Sequence, residues 1–155
     1  MDVSRKYARI ERERRFLIAS LPQGVASVSS IVDRYVVGTR LRLRQVTTDD
    51  GSVQRKLGQK IRTSDGATEI AHTTMYLDDA EWVLLSTLPS RVLSKTRHHI
   101  ERDGISLAVD ELTDGTLIAE IDDGDGPAQP VPHWLDVIRD VTAEDSWTGV
   151  RLAGE

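Results

Sequence analysis

Along most of this chain polar and apolar residues alternate one by one, the period of a half-buried strand rather than of a helix. The clearest run is Arg40-Leu41-Arg42-Leu43-Arg44-Gln45-Val46, where every second side chain down to Arg44 is cationic. A first strand is predicted over about residues 8–18, before the turn Leu21-Pro22-Gln23-Gly24. Residues 27–37 mix Ser with Ile31, Val32, Tyr35 and Val36 and fit a short helix or a strand. Thr48-Asp49-Asp50-Gly51 predicts a hairpin turn, with the returning strand over 53–61. Ser64-Asp65-Gly66 predicts another turn, then an extended run to Tyr76. A helix is expected with Asp78 or Asp79 as its N-cap, carrying Trp82, Leu84, Leu85 and Leu88 and stopped by Pro89. Strands over 92–100, 105–112 and 116–122 are separated by Asp103-Gly104 and Asp114-Gly115. After a loop at 123–130, a short helix is predicted over 132–138, with Pro132 in its first turn.

Seven or eight strands joined mainly by turns imply antiparallel neighbours, hence a mainly β, α+β meander or barrel with a few helices. A length of 155 residues fits one domain spanning 1–155. Charge then changes the picture. In an extended chain Glu11, Glu13 and Arg15 share one face, as do Arg40, Arg42 and Arg44. Lys95, Arg97 and His99 lie together, and Glu120 and Asp122 oppose Ala119 and Ile121, while Asp110 sits within Val109-Asp110-Glu111-Leu112. Strands with one wet face account for any one of these patterns. Taken together, the acids of some strands complement the bases of others. A closed barrel could turn all of them into a wet lumen, with Leu and Ile outward under the helices. Bare charges there would cost several kcal/mol each unless partnered, and a metal and a polyanion would be those partners.

The net charge of −5 counts against a general nucleic-acid binder, although basic residues gather at 34–62 and 91–102 and acids at 110–125. With no cysteine there is no disulfide framework, thiolate nucleophile or Cys-ligated zinc site. No apolar run approaches the roughly 18 residues that span a bilayer, and no leader is evident, so a cytoplasmic protein without membrane contact is expected. His72, His98, His99 and His133 are read as structural or surface residues, and no G-x-S-x-G or P-loop pattern appears.

Ile10-Glu11-Arg12-Glu13-Arg14-Arg15-Phe16-Leu17 resembles the E-I-E-R-K-F-L signature that opens the CYTH domain, or triphosphate tunnel metalloenzyme, superfamily. Later motifs follow in the family's order. T-R-L-R-L-R is similar to its R-x-R strand, K-L-G-Q-K (Lys56 and Lys60) to its lysine strand, and S-K-T-R to its K-x-R strand. V-D-E-L-T-D-G resembles V-D-x-F-x-G, A-E-I-D resembles A-E-I-E, and D-V-T resembles the closing E-V-T. The chain departs from the pattern in carrying Arg15 for Lys, and in reading Gly-Ala-Thr-Glu-Ile-Ala-His-Thr-Thr over 66–74, where R-x-E-x-E is expected.

The resemblance implies a closed eight-stranded antiparallel β-tunnel with a charged lumen, binding a triphosphate and Mg²⁺ or Mn²⁺. It implies that Glu11, Glu13 and Glu120 coordinate the metal. Asp122 and Asp110 would hold a second ion or orient the attacking water, making Glu13, Asp110 and Asp122 the catalytic set. Arg15, Arg40, Arg42, Lys56, Lys95 and Arg97 would grip phosphate oxygens, as guanidinium forks and ammonium groups suit. The expected activity is hydrolysis of inorganic tripolyphosphate, or of a nucleoside or organic triphosphate, by a metal-activated water in a monomer or homodimer. The alternatives are a tunnel that binds polyphosphate or nucleotide without turnover, and a class IV adenylyl cyclase-type reaction.

Overall fold

The alternating segments pair into one sheet that closes on itself. A computed structural model describes residues 5–63 and 69–154 of the chain. Nine strands follow in order: β1 (Arg9–Ile18), β2 (Val25–Val36), β3 (Leu41–Thr48), β4 (Val53–Arg62), β5 (Glu69–Tyr76), β6 (Ser90–Arg102), β7 (Ile105–Leu112), β8 (Leu117–Asp122) and β9 (Val137–Asp140). In space their order is β5-β4-β3-β2-β6-β7-β8-β1-β9, and β5 also pairs with the first half of β1. That last pairing makes a closed eight-stranded antiparallel barrel with β9 as an added strand. The ambiguous 27–37 segment is strand, and the turn expected at 64–66 lies outside the described residues.

Because opposed residues in an antiparallel pair point to the same face, register decides what the barrel encloses. Glu11 lies opposite Ile70, Lys60 opposite His72, Gly58 opposite Arg42 and Arg44 opposite Asp33. Around the other side Arg97 lies opposite Asp110, and Arg15 opposite Glu120. The parity is kept around the whole ring, so the charged faces point inward. The apolar faces point outward, where Phe16, Ile18, Ile100, Leu107, Val109, Ala119, Ile121 and Leu135 form the buried core.

Helices do not cover that core. The segment after Pro132 does, with Leu135 in the cluster and Trp134 packed against it. The helix expected over 132–138 is instead a turn followed by β9. Its cause lies in β1, whose second half has parted from β5. The exposed edge at Phe16–Ile18 needs a partner, which the extended Val137–Asp140 supplies. The first helix, α1 (Asp79–Leu85), starts where Asp78 accepts the Glu81 amide at 2.8 Å and Glu81 returns the bond to the Asp78 amide at 2.9 Å. It buries no residue, and Val83 and Leu84 face solvent. A 3-10 turn at 145–147 leads into the single-turn α2 (Gly149–Leu152). Among the described residues no helix is long and apolar enough to cross a membrane.

Candidate functional site

The inward faces enclose a cavity of about 500 Å³, the size of a small-molecule site. Nine arginines and lysines and five carboxylates line it. Strands supply most of them, and α2 with its preceding turn lies across the lumen, Trp147 and Leu152 among the lining residues. Gly149 of α2 packs directly against the Tyr35 hydroxyl, which leaves no room there for a side chain.

The lumen charges gather in three clusters, each of which joins carboxylate to cation. On one side Glu11 and Glu13 of β1 share the Lys60 ammonium, at 3.5 and 3.2 Å, and His72 Nδ1 stands 2.8 Å from Glu11 Oε1. On the other, Asp33 of β2 receives both arms of Arg44, at 2.6 and 2.8 Å, and is 0% exposed. Between them Asp110 takes a forked bond from Arg97, at 2.7 and 2.8 Å, and the Lys95 ammonium at 2.6 Å. Arg97 also reaches Glu120 at 3.0 Å. Most lumen charges are thus paired across strands, which is how a polar interior is tolerated.

Some are not. The Nε atoms of Arg15 and Arg42 are buried with no hydrogen-bond partner among the described residues, and so is Glu11 Oε2. Asp33 lies 3.8 Å from Arg42 Nε, close enough to attract but too far to bond. All three residues line a single cavity, although these atoms are themselves closed off from it as the side chains stand. The acceptor side suits a hard divalent ion, for which carboxylate oxygens are the preferred donors. As the side chains stand, no three of His, Cys, Asp or Glu converge on one point among the described residues. Lys60 and Arg97 occupy the carboxylates instead.

Of the residues singled out in the sequence, the cavity wall gathers Glu11, Glu13, Arg15, Arg40, Arg42, Lys95, Arg97, Asp110 and Glu120. Arg40 is exposed at its edge. Two others stand apart. Lys56 has the lumen parity but is not on the cavity wall, and its Nζ lies 5.6 Å from the centre of the Tyr76 ring. Burial and the nearby Arg44, Arg42 and Arg97 cations push its ammonium below the usual range. Asp122 is exposed at the end of β8, where its Oδ1 accepts the amides of Gly124 at 2.8 Å and Arg12 at 3.1 Å. It caps a turn rather than lining the cavity.

Arg12 and Arg14 point outward to Glu69 and Asp123, as their parity requires. Glu69, the one acid of the 66–74 stretch, is therefore outside, and the inward positions of β5 carry Ile70, His72 and Thr74. The sequence placed Lys60 in the lysine strand without a site role and His72 among structural or surface histidines, and gave no sign of Asp33. Parity put Lys60 on the right face, but only closure of β5 onto β1 brings it to the carboxylates.

The pairings shift the acids. Burial raises Glu11, but the His72 hydrogen bond and the Lys60 charge outweigh it and bring its pKa from 4.5 to about 2. Burial also raises Asp110, and Arg97 and Lys95 overcome this to hold it well below the carboxylate range. Both groups bind fewer protons folded than unfolded between about pH 2 and 4.5, so their contribution to stability is complete above about pH 4.5. It is lost as the pH falls toward 2. The thermal midpoint is expected to be flat from pH 7 to about 5 and to fall steeply below, with Asp110→Asn flattening the fall. Calorimetric scans across that range test this, and a midpoint insensitive to acid would refute it.

In a comparison with solved structures, two crystal structures of the protein NE1496 superpose with TM-scores of 0.59 and 0.58 at 20% identity. They cover 92% of this chain, and 97% and 93% of their own. One is described as a hypothetical protein and the other as the inorganic triphosphatase NE1496. A conserved hypothetical protein from Pyrococcus furiosus matches with a TM-score of 0.53 at 16% identity, over 79% of this chain and 81% of its own. No family model and no curated protein matches the sequence. At these identities the likeness is one of fold, and it agrees with the tunnel fold that the CYTH resemblance implied.

Proposed function

We propose that this chain is a metal-dependent triphosphatase of the CYTH, or triphosphate tunnel metalloenzyme, superfamily, hydrolysing a triphosphate inside the barrel. The observation that carries the reading is the charge of the cavity wall, on which cations outnumber carboxylates. Arg15 Nε and Arg42 Nε lack an acceptor, and Glu11 Oε2 lacks a donor. A polyphosphate would supply acceptor oxygens, and a divalent ion would take the place that the Lys60 ammonium holds beside Glu11 Oε2. The surplus of nine cations over five carboxylates favours a polyanion in the same sense. The triphosphatase description of NE1496, which shares the fold, supports it from outside the chain.

In this reading Glu11, Glu13 and Glu120 would hold Mg²⁺ or Mn²⁺. A bound ion would supply Lewis-acid charge to the phosphoryl group and lower the pKa of water. Arg15, Arg40, Arg42, Lys95 and Arg97 grip non-bridging oxygens and stabilise charge on the transferring group, so no protein nucleophile is needed. Asp110, doubly engaged by Arg97 and Lys95, sets the direction of those two cations. Glu13, whose one ion-pair partner among the described residues is Lys60, would serve the ion and also take a proton from water. Asp122, at the strand end, falls outside the proposed ligand set.

A second reading, capture of polyphosphate without turnover, is favoured by the inward face of β5, where Ile70 and His72 stand in place of acids. One experiment separates them. A panel of tripolyphosphate and nucleoside triphosphates is assayed with Mg²⁺ and Mn²⁺ for orthophosphate and pyrophosphate, beside calorimetry with tripolyphosphate. Ion-dependent orthophosphate release, lost in Glu120→Gln, is the expected outcome. Binding without product favours the capture module, pyrophosphate released from a nucleoside triphosphate together with a cyclic nucleotide favours cyclisation, and neither binding nor product ends the proposal.

A further inference from the structure

The proposed metal site carries a nitrogen that neither its sequence nor its fold announces. His72 projects from β5 into the lumen opposite Lys60 and beside Glu11. Its side chain is 13% exposed, and its Nδ1 lies 2.8 Å from Glu11 Oε1. Its other nitrogen, Nε2, is 3.3 Å from Thr74 Oγ1. Room for the ring comes from Gly58 across the strand, where a Cβ would stand 3.1 Å from Nε2 and 3.6 Å from Arg42 Nη2.

We propose that His72 is a metal ligand beside Glu11, which makes the site a mixed imidazole–carboxylate centre that prefers Mn²⁺ to Mg²⁺. Ligand bonds of about 2.1 Å at right angles put two ligand atoms about 3 Å apart, close to the separation of Nδ1 and Oε1. Without an ion Nδ1–H donates to Glu11 Oε1, and ligation would need that proton to move to Nε2, where the Thr74 hydroxyl can accept it. A second hydrogen bond of this kind commonly fixes the tautomer of a ligating histidine. Glu11 Oε2, without a hydrogen-bond partner among the described residues, is a further oxygen for the same ion. The Lys60 ammonium, 3.2 Å from Glu13 and 3.5 Å from Glu11, marks where positive charge is already attracted. It sits on a flexible stem that can withdraw. Imidazole strengthens binding of first-row transition ions, whereas Mg²⁺ favours oxygen throughout.

The inference rests on the metal reading of the site, and its test does not depend on turnover. The full chain is titrated calorimetrically with Mn²⁺ and with Mg²⁺, and the Mn²⁺ form is examined by pulsed electron paramagnetic resonance for nitrogen coupling. Expected are directly bound imidazole nitrogen on Mn²⁺ and Mn²⁺ affinity at least about tenfold above that for Mg²⁺. In His72→Glu the nitrogen coupling disappears and the preference shrinks by about 10-fold or more. The wild-type spectrum decides even if that variant folds poorly. Mn²⁺ bound without nitrogen coupling, or a coupling that survives His72→Glu, overturns the role of His72 and leaves an all-oxygen triphosphatase standing. Failure of the wild-type chain to bind either ion removes both.

Discussion

Replacing Asp33 by alanine is expected to destabilise the barrel by about 3–5 kcal/mol, the cost of leaving one member of a buried ion pair without its partner. Asp33 is 0% exposed, and Arg44, directly across the β2–β3 pair, gives it two bonds at 2.6 and 2.8 Å. Burial raises the Asp33 carboxyl, and Arg44, Arg42 and Lys95 together reverse this and hold it charged. Without it Arg44 faces a lumen already crowded with cations, including Arg97, whose charge opposes its own. Urea unfolding of the single variants and of an Asp33→Leu, Arg44→Met pair measures the coupling. The pair should recover much of the loss, because an apolar couple of similar volume carries no unpaired charge. A loss below about 1 kcal/mol in Asp33→Ala would show that Arg44 finds another acceptor or water. Tripolyphosphate should raise the midpoint of Asp33→Ala more than that of the native chain, since its oxygens would offer Arg44 the acceptor it has lost.

The Asp33 pair also shows where reading the sequence stops. The alternation in 40–46 put Arg40, Arg42 and Arg44 on one face, and the barrel keeps them there. Parity cannot say which of them meets a carboxylate, because it fixes the side of a strand and not the height along the lumen. Asp33 stood in a segment that fitted helix or strand equally, so its place opposite Arg44 had no signal. Lys56 and Lys60 share a face for the same reason that Glu11 and Glu13 do. Only the ring closure, Lys60 opposite His72 and Glu11 opposite Ile70, tells which lysine meets the acids. Asp122 has lumen parity but lies at the last residue of β8, where unpaired turn amides claim its oxygen. The misread 132–138 segment has a different cause. Its few apolar residues carry a weak helical period, and the open edge of β1, a tertiary demand, outweighs it.

These displacements set up the sharpest contrast between two neighbouring acids. Glu13→Gln is expected to lower triphosphate hydrolysis roughly 100- to 10,000-fold, the range for loss of a positioned proton acceptor. Asp122→Asn, directly opposite Glu13 in the β1–β8 register, should change it by less than about twofold. Both carboxylates lie near the same point in the sheet, so a general loss of negative charge there would affect both alike. The structure separates them by what each touches. Glu13 is half-buried in the lumen against Lys60, while Asp122 accepts backbone amides in solvent. Gln keeps the volume of Glu, so the fold should be unchanged, and Lys60 loses one of its two carboxylates. Tripolyphosphate binding without a divalent ion should therefore hold or strengthen, since Lys60 becomes available to phosphate oxygens. Rates of orthophosphate release and calorimetric affinities on the two variants read the two effects separately. Equal losses in both variants would move the reacting centre to the β8 end of the tunnel. An active Glu13→Gln protein would take the proton acceptor away from β1.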